Sequence, residues 1–357
     1  MTQQQLENKS LLPVITVKKE GIILNKGTLE FENEGVLNPA VLQQGSTVHM
    51  YYRAVRTGNH STVGYARLEG PLNVVQRDEK PLMIPESPNE ERGLEDARTV
   101  MIDGVCYMTY TAYDGWNVLG SLAVSTDLRN FERKGPVVPL MTYERFWELI
   151  EENKKLNPKY RRFRAMVPIH PHPSNKESYL WDKNVILFPR KINGQFVFMH
   201  RIRPGIQLVK VNDFTELTPE FWEDYIHNLH EHVLMESKYE HEISYIGGGC
   251  PPIETEEGWV IIYHGVHDSV TGFVYTACAA LLDIDDPQKE LARLPEPLFA
   301  PEYDWELQGY VNNVCFPTGT ALFDDTLYIY YGAADEQIAC ASLSLSALVE
   351  ELVKHKH

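Results

Sequence analysis

Five groups of polar residues have the types and spacing to do chemistry. The densest is Glu91-Arg92-Gly93-Leu94-Glu95-Asp96-Ala97-Arg98. Gly93 permits a close backbone approach, and on an extended chain Asp96 and Arg98 project to one side. The competing reading of this run is a solvated surface turn. A second group is Asn38-Pro39 with Arg53 and Arg56. A third is basic: Arg161, Arg162, Arg164, His170, His172 and Lys183, suited to an anion or to an array of sugar hydroxyls. The fourth runs from Glu236 to Gly249 and continues into Cys250-Pro251-Pro252, where three glycines beside two prolines fix a backbone shape that ordinary loops do not need. Its Glu240-His241-Glu242 does not make the HExxH zinc motif. The fifth pairs His264 with Asp335, each just past the centre of an apolar run. A hydrogen-bonded core histidine is the plain alternative for His264. An unpaired buried Asp335 would be costly, so it must face water, a cation or a ligand.

Paired carboxylates in an aromatic-rich chain suit glycoside chemistry. One group donates a proton to the leaving oxygen, and another supplies or activates the nucleophile. The chain has 19 Tyr and 6 Trp, whose faces can stack on sugar C–H surfaces. It has no GxSxG, no GxGxxG after a strand, no P-loop and no CxxC. Its five cysteines are scattered and read as reduced, buried thiols. No set of ligands recurs at metal spacing, so neither a metal nor an organic cofactor is expected. A formal charge of −17 argues against nucleic acid and anionic membranes as partners. No long apolar segment or leader-like start is visible, which makes the cytoplasm the expectation, or the periplasm if a leader has been lost.

These groups are strung along a repeat. Five aromatic and apolar runs read as strands: 49–55, 105–112, 195–200, 259–266 and 327–334. Each is flanked before and after by another short strand, and most follow a turn signal such as Asp103-Gly104 or Asn193-Gly194. A strand unit used five times predicts an all-β fold, a single five-bladed β-propeller over residues 1–357. Helical insertions are expected at about 141–160 and 218–235, the second with Thr218 as N-cap and Pro219 at the first position. A C-terminal helix is expected over 344–355.

The ordered motifs resemble glycoside hydrolase family 130, the β-mannoside phosphorylases and β-1,2-mannosidases. The match includes Asn38-Pro39-Ala40, Gly93-Leu94-Glu95-Asp96-Ala97-Arg98, Lys183-Asn184, His200-Arg201, Gly247-Gly248-Gly249-Cys250-Pro251-Pro252, Tyr263-His264-Gly265 and Gly332-Ala333-Ala334-Asp335. The resemblance implies a five-bladed propeller, a β-mannoside oligosaccharide as partner, and Asp96 as general acid acting through a sugar hydroxyl. It implies Asn38, Arg53, Glu95, Arg98, Tyr245 and Asp335 around the substrate. In phosphorylase members inorganic phosphate is the co-substrate, with ligands at Arg164, Lys183, His264 and a lysine before the glycine turn. Here Tyr245 takes that lysine's place behind Glu240 and Glu242. A phosphate site wants permanent cations, so the substitution favours hydrolysis with Glu242 or Glu240 as base. Phosphorolysis is the alternative, and a non-catalytic glycan-binding module is a further one. A homo-oligomer is compatible with all three.

Overall fold

A computed structural model describes residues 15–151, 153–162 and 176–357. The turn signals act as expected: Asp103, Asn193 and Asp324 take left-handed φ of 51°, 52° and 52° between consecutive strands. The strands do not form five blades. They make four hydrogen-bonded sheets of 4, 4, 5 and 8 strands, none of them closed. The expectation of an all-β five-bladed propeller is therefore corrected to a mixed α/β fold of separate sheets. The largest sheet joins two repeats, Gly35–Arg77 and Gly93–Pro136, through one parallel pairing of Ser61 with Gly93. Gly93 explains the fusion, because a Cβ there would lie 2.7 Å from the Ser61 side chain.

Helices Tyr143–Glu151 and Pro219–His227 supply a second layer. Phe146 and Ile150 from one, and Trp222, Tyr225 and Ile226 from the other, share a core with Leu122, Val185 and Phe198. Thr218 caps the second helix by accepting from the Phe221 N–H, with Pro219 at its first turn. Among the described residues no helix is long and apolar enough to cross a membrane.

A buried polar device recurs through the sheets. Glu32, Glu90, Glu242 and Glu306 each end or sit in a short helical turn and are at most 2% exposed. Each accepts from the hydroxyl of a buried tyrosine, respectively Tyr52, Tyr110, Tyr263 and Tyr331. Each also meets one cation: Arg77, Arg133, Arg293 or Lys19. In the remaining repeat Asp182 and His200 do the same work, with His200 bridging to Tyr225 at 2.7 Å. Burying a carboxylate demands such pairing. The N-terminal strand Lys18–Leu24, which carries Lys19, pairs antiparallel with Gln337–Ser344 near the C-terminus.

Candidate active site

Three strands that start successive repeats share a local defect. In Gly35–Gln44 the ladder jumps from Leu37↔Arg53 to Ala40↔Tyr51. In Gly93–Ile102 it jumps from Glu95↔Thr111 to Arg98↔Thr109. In Lys183–Leu187 it jumps from Lys183↔Arg201 to Ile186↔Met199. Two residues therefore face one across each bulge, which re-aims a side chain. The re-aimed residues are Asn38, Asp96 and Asn184, with φ of 48°, 50° and 57°. Asn and Asp tolerate this left-handed geometry better than other residues with a Cβ. The strand of Asp96 packs against both of the others, so the three side chains converge.

Asp96 is 8% exposed, and its Oδ1 accepts from Asn38 Nδ2 at 2.7 Å. Arg53 holds Glu95 Oε1 at 2.7 Å, approaches Asp96 Oδ1 at 3.6 Å and donates to Ser61 Oγ at 2.9 Å. Burial pushes the Asp96 carboxyl up, but Arg53, Lys183, the Asn38 amide and Arg98 together hold it below the ordinary aspartate value. Asp335 behaves oppositely. Burial pushes it up to about 6, with Asp96 and Glu95 adding to the rise against Arg53 and Lys183. It has no hydrogen-bond or ion-pair partner among the described residues, and it borders a cavity of about 80 Å³ with Arg53, Leu37 and Tyr310.

Beyond Asp96 the charge reverses. Lys183, Arg201 and Arg203 have no carboxylate within ion-pair distance among the described residues. Residues 163–175, outside the described set, contain no Asp or Glu. Arg201 is 4% exposed, its Nε unpaired, its Nη1 donating to His264 Nε2 at 3.4 Å. Burial and then the neighbouring Arg203 lower Arg201 to about 10. Burial, followed by Arg201, Arg98, Lys183 and Arg203, holds His264 well below the usual histidine value, so its ring is neutral. Both amide atoms of Asn184 and Nδ1 of His264 are buried without partners. Such orphaned groups cost free energy unless a ligand meets them. Gly247 makes room for them: a Cβ there would lie 2.6 Å from His264 Nε2 and 2.8 Å from Asn184 Nδ2. The Tyr245 and Tyr275 hydroxyls hydrogen-bond to each other beside this group.

Several expected site residues stand elsewhere or do something else. Glu242, expected as a base, is fully buried and takes part in the recurring carboxylate–tyrosine–cation device. It accepts from Arg293 at 3.1 Å, from the Lys238 and Tyr239 N–H groups at 2.7 and 3.3 Å, and from Tyr263. Oε2 takes three of these four bonds and Oε1 the fourth, and neither oxygen is open to solvent. Glu240 is exposed on the outside of the same turn. Arg98 is 2% exposed and bonds the carbonyls of Gly249, Asp96 and Ala97, clamping its strand to the glycine turn. Only its Nη2 remains unpaired. Arg161 holds the carbonyls of Ile150, Glu151 and Asn153. Arg164, His170 and His172 lie outside the described residues. Asn184, Arg201, Arg203 and Tyr275 stand at the site without having been expected there as site residues. The alternation Arg201-Ile202-Arg203 at a strand end was the available signal, since it puts both guanidinium groups on one face.

Among the described residues, one group could be tested as a metal site: His241, Glu242 and Cys278, with ligand atoms within 4.8 Å of one another. Its carboxylate already accepts from four donors, and Arg293 beside it opposes a cation. The central site instead combines a buried carboxylate, ionised on its own, with an adjoining nest of unpaired cations and neutral donors. That arrangement can hold an anion against an electrophile while a leaving group is protonated.

A protein-family model described as beta-1,4-mannooligosaccharide phosphorylase, Glyco_hydro_130, matches residues 15–354. A 1,2-beta-oligomannan phosphorylase of Thermoanaerobacter sp. is 35% identical over 336 residues, 91% of this chain and 95% of that one. The beta-1,2-mannobiose phosphorylase of Listeria innocua, solved with beta-1,2-mannobiose, superposes with a TM-score of 0.69 at 23% identity, covering 94% and 99% of the two chains. A further structure, described with family members that are glycoside hydrolases targeting beta-1,2 mannosidic linkages in Candida mannan, gives 0.70 at 20% identity and covers 92% and 93%.

Proposed function

The chain belongs to glycoside hydrolase family 130 and is an enzyme, and from that premise we propose that it is an inverting β-mannoside phosphorylase. The observation that carries this reading is the unpaired cation group beside Asp96. In a chain of charge −17, buried cations without carboxylates call for a bound anion. Phosphate sits against Lys183, Arg201 and His264, with Arg164 as a further ligand. Asn38, Arg53, Glu95 and Asp335 hold the mannosyl unit. A phosphate oxygen attacks the anomeric carbon as the C–O bond to the leaving sugar breaks. The leaving oxygen takes the proton of Asp96, through a sugar hydroxyl as the family resemblance implies. The products are α-mannose 1-phosphate and the shortened sugar. The Thermoanaerobacter relative favours β-1,2-linked mannosides as substrate.

Asp96 is ionised in the free enzyme, so it must gain its proton before acting. Phosphate supplies the cause: it offsets the field of Lys183 and Arg201 and adds negative charge, and both changes raise the carboxyl. Two placements weigh against the hydrolase reading: Glu242 is buried in bonds to four donors, and Glu240 faces outward. The test is incubation with β-1,2- and β-1,4-mannobiose, with and without inorganic phosphate. α-Mannose 1-phosphate formed only with phosphate is the expected result. Free mannose released equally in both would refute the reading.

A further inference from the structure

Arg203 is not needed to explain the fold. It lies two residues beyond Arg201, in the turn that follows the strand Phe196–Arg201, and is only partly buried. Its guanidinium stacks 4.1 Å from the centre of the Tyr245 ring, and its Nη2 donates to the Tyr245 hydroxyl at 3.3 Å. Arg201 lies over the same ring at 5.3 Å. One tyrosine thus carries two guanidinium groups, neither of them paired with a carboxylate among the described residues. Cation–π contact partly offsets their repulsion, but like charges this close still oppose each other. The seat of Arg203 on Tyr245, the ring that Arg201 also overlies, puts its charge within electrostatic range of His264, Lys183 and Arg201. The Tyr245–Tyr275 hydroxyl pair fixes the ring on which it rests.

We propose that Arg203, shelved on Tyr245, is a second guanidinium ligand of the phosphate. This assignment rests on the phosphorylase reading. It gives position 245 a role as well: the tyrosine presents a cation from the neighbouring turn instead of contributing one. Arg203 donates to a phosphate oxygen while Arg201 and Lys183 hold the others. The fork geometry of arginine suits this placement better than a point charge.

The experiment measures inorganic phosphate binding by calorimetry, and steady-state kinetics on β-1,2-mannobiose, for wild type, Arg203→Met, Arg203→Lys and the double variant Arg203→Met with Tyr245→Lys. Arg203→Met should raise Kd and KM for phosphate about 10- to 100-fold, the range for one lost charged hydrogen bond. KM for mannobiose should change less than about threefold, because uniform binding of the other substrate is untouched. Arg203→Lys should lie between the two. A lysine at 245 should recover most of the phosphate affinity, which a purely structural role for Arg203 would not allow. Melting temperatures identify any variant that fails to fold, and the lysine variant then decides. Unchanged phosphate affinity in Arg203→Met overturns this inference and leaves the phosphorylase reading intact. Wild type that neither binds nor uses phosphate overturns both.

Discussion

Glu242 separates a structural carboxylate from a catalytic base, and its replacement can be worked through in numbers. Glu242→Ala removes acceptors from two backbone N–H groups, from the Tyr263 hydroxyl and from Arg293. Arg293 is 3% exposed but keeps Glu290 and the Glu236 carbonyl, so it is not stranded. Breaking a buried pair on one side costs about 3–5 kcal/mol. Unfolding entropy near 2.1 cal/mol/K per residue gives about 0.75 kcal/mol/K for 357 residues. The melting temperature should therefore fall by about 4–7 °C. Glu242→Gln keeps one acceptor oxygen and should fall less. Rates measured well below either melting point should stay within about threefold of wild type, since no acid–base group has been lost. Thermal unfolding followed by circular dichroism, with product assayed at the same temperature, reads both effects. A Glu242→Gln protein with wild-type melting and a rate lowered by about 10²-fold or more, the loss expected of a general base, would refute the structural assignment.

Asp96→Asn should lower turnover by about 10²–10⁴-fold while phosphate still binds, so normal turnover in that variant would exclude Asp96 as the acid. If phosphate arms Asp96, the basic limb of kcat should lie at higher pH than that of kcat/KM for phosphate; coincident limbs in the two pH profiles count against it. Asp335 is raised in the folded state from 3.8 to about 6. A raised carboxyl adds stability below its unfolded value and loses it as pH climbs through about 6. Asp335→Asn should accordingly gain melting temperature over wild type at pH 8 and much less at pH 4, with mannoside binding weakened at both. Gly247→Ala should push on His264 and Asn184 and cost on the order of 10²-fold in kcat/KM, whereas full activity would mean that the two side chains can yield.

Local chemistry was easier to read than assembly. Asp96 was legible because a dense charged run with a glycine in it leads straight into an apolar strand. Asn38 and Lys183-Asn184 stood in similar runs, yet the shared bulge behind them needs the partner strands to be seen. Glu242 looked like a spare carboxylate because its tyrosine lies 21 residues away. The same partnership spans 20, 20 and 25 residues in the other three cases, a spacing invisible to helix or strand periodicity. The repeat itself was real, but the number and closure of sheets were not in it. The pairing of Ser61 with Gly93 merges two repeats, and nothing local announces that contact. Arg201 and Arg203 were missed because the basic stretch around Arg164 drew attention to charge density instead of unpaired charge.

The pairing of the chain's two ends has a consequence for how the protein is made. Lys19 leaves the ribosome early, while its partner Glu306 comes 287 residues later. At roughly 5–20 residues per second, that delay is on the order of 15–60 s. Through that interval the first strand has no edge to pair with, and the last repeat, once synthesised, has no cation for its buried carboxylate until the first strand returns. Completion of the fold therefore waits until Gln337–Ser344 has been made, and Lys18–Leu24 is the strand with most to gain from being shielded until then.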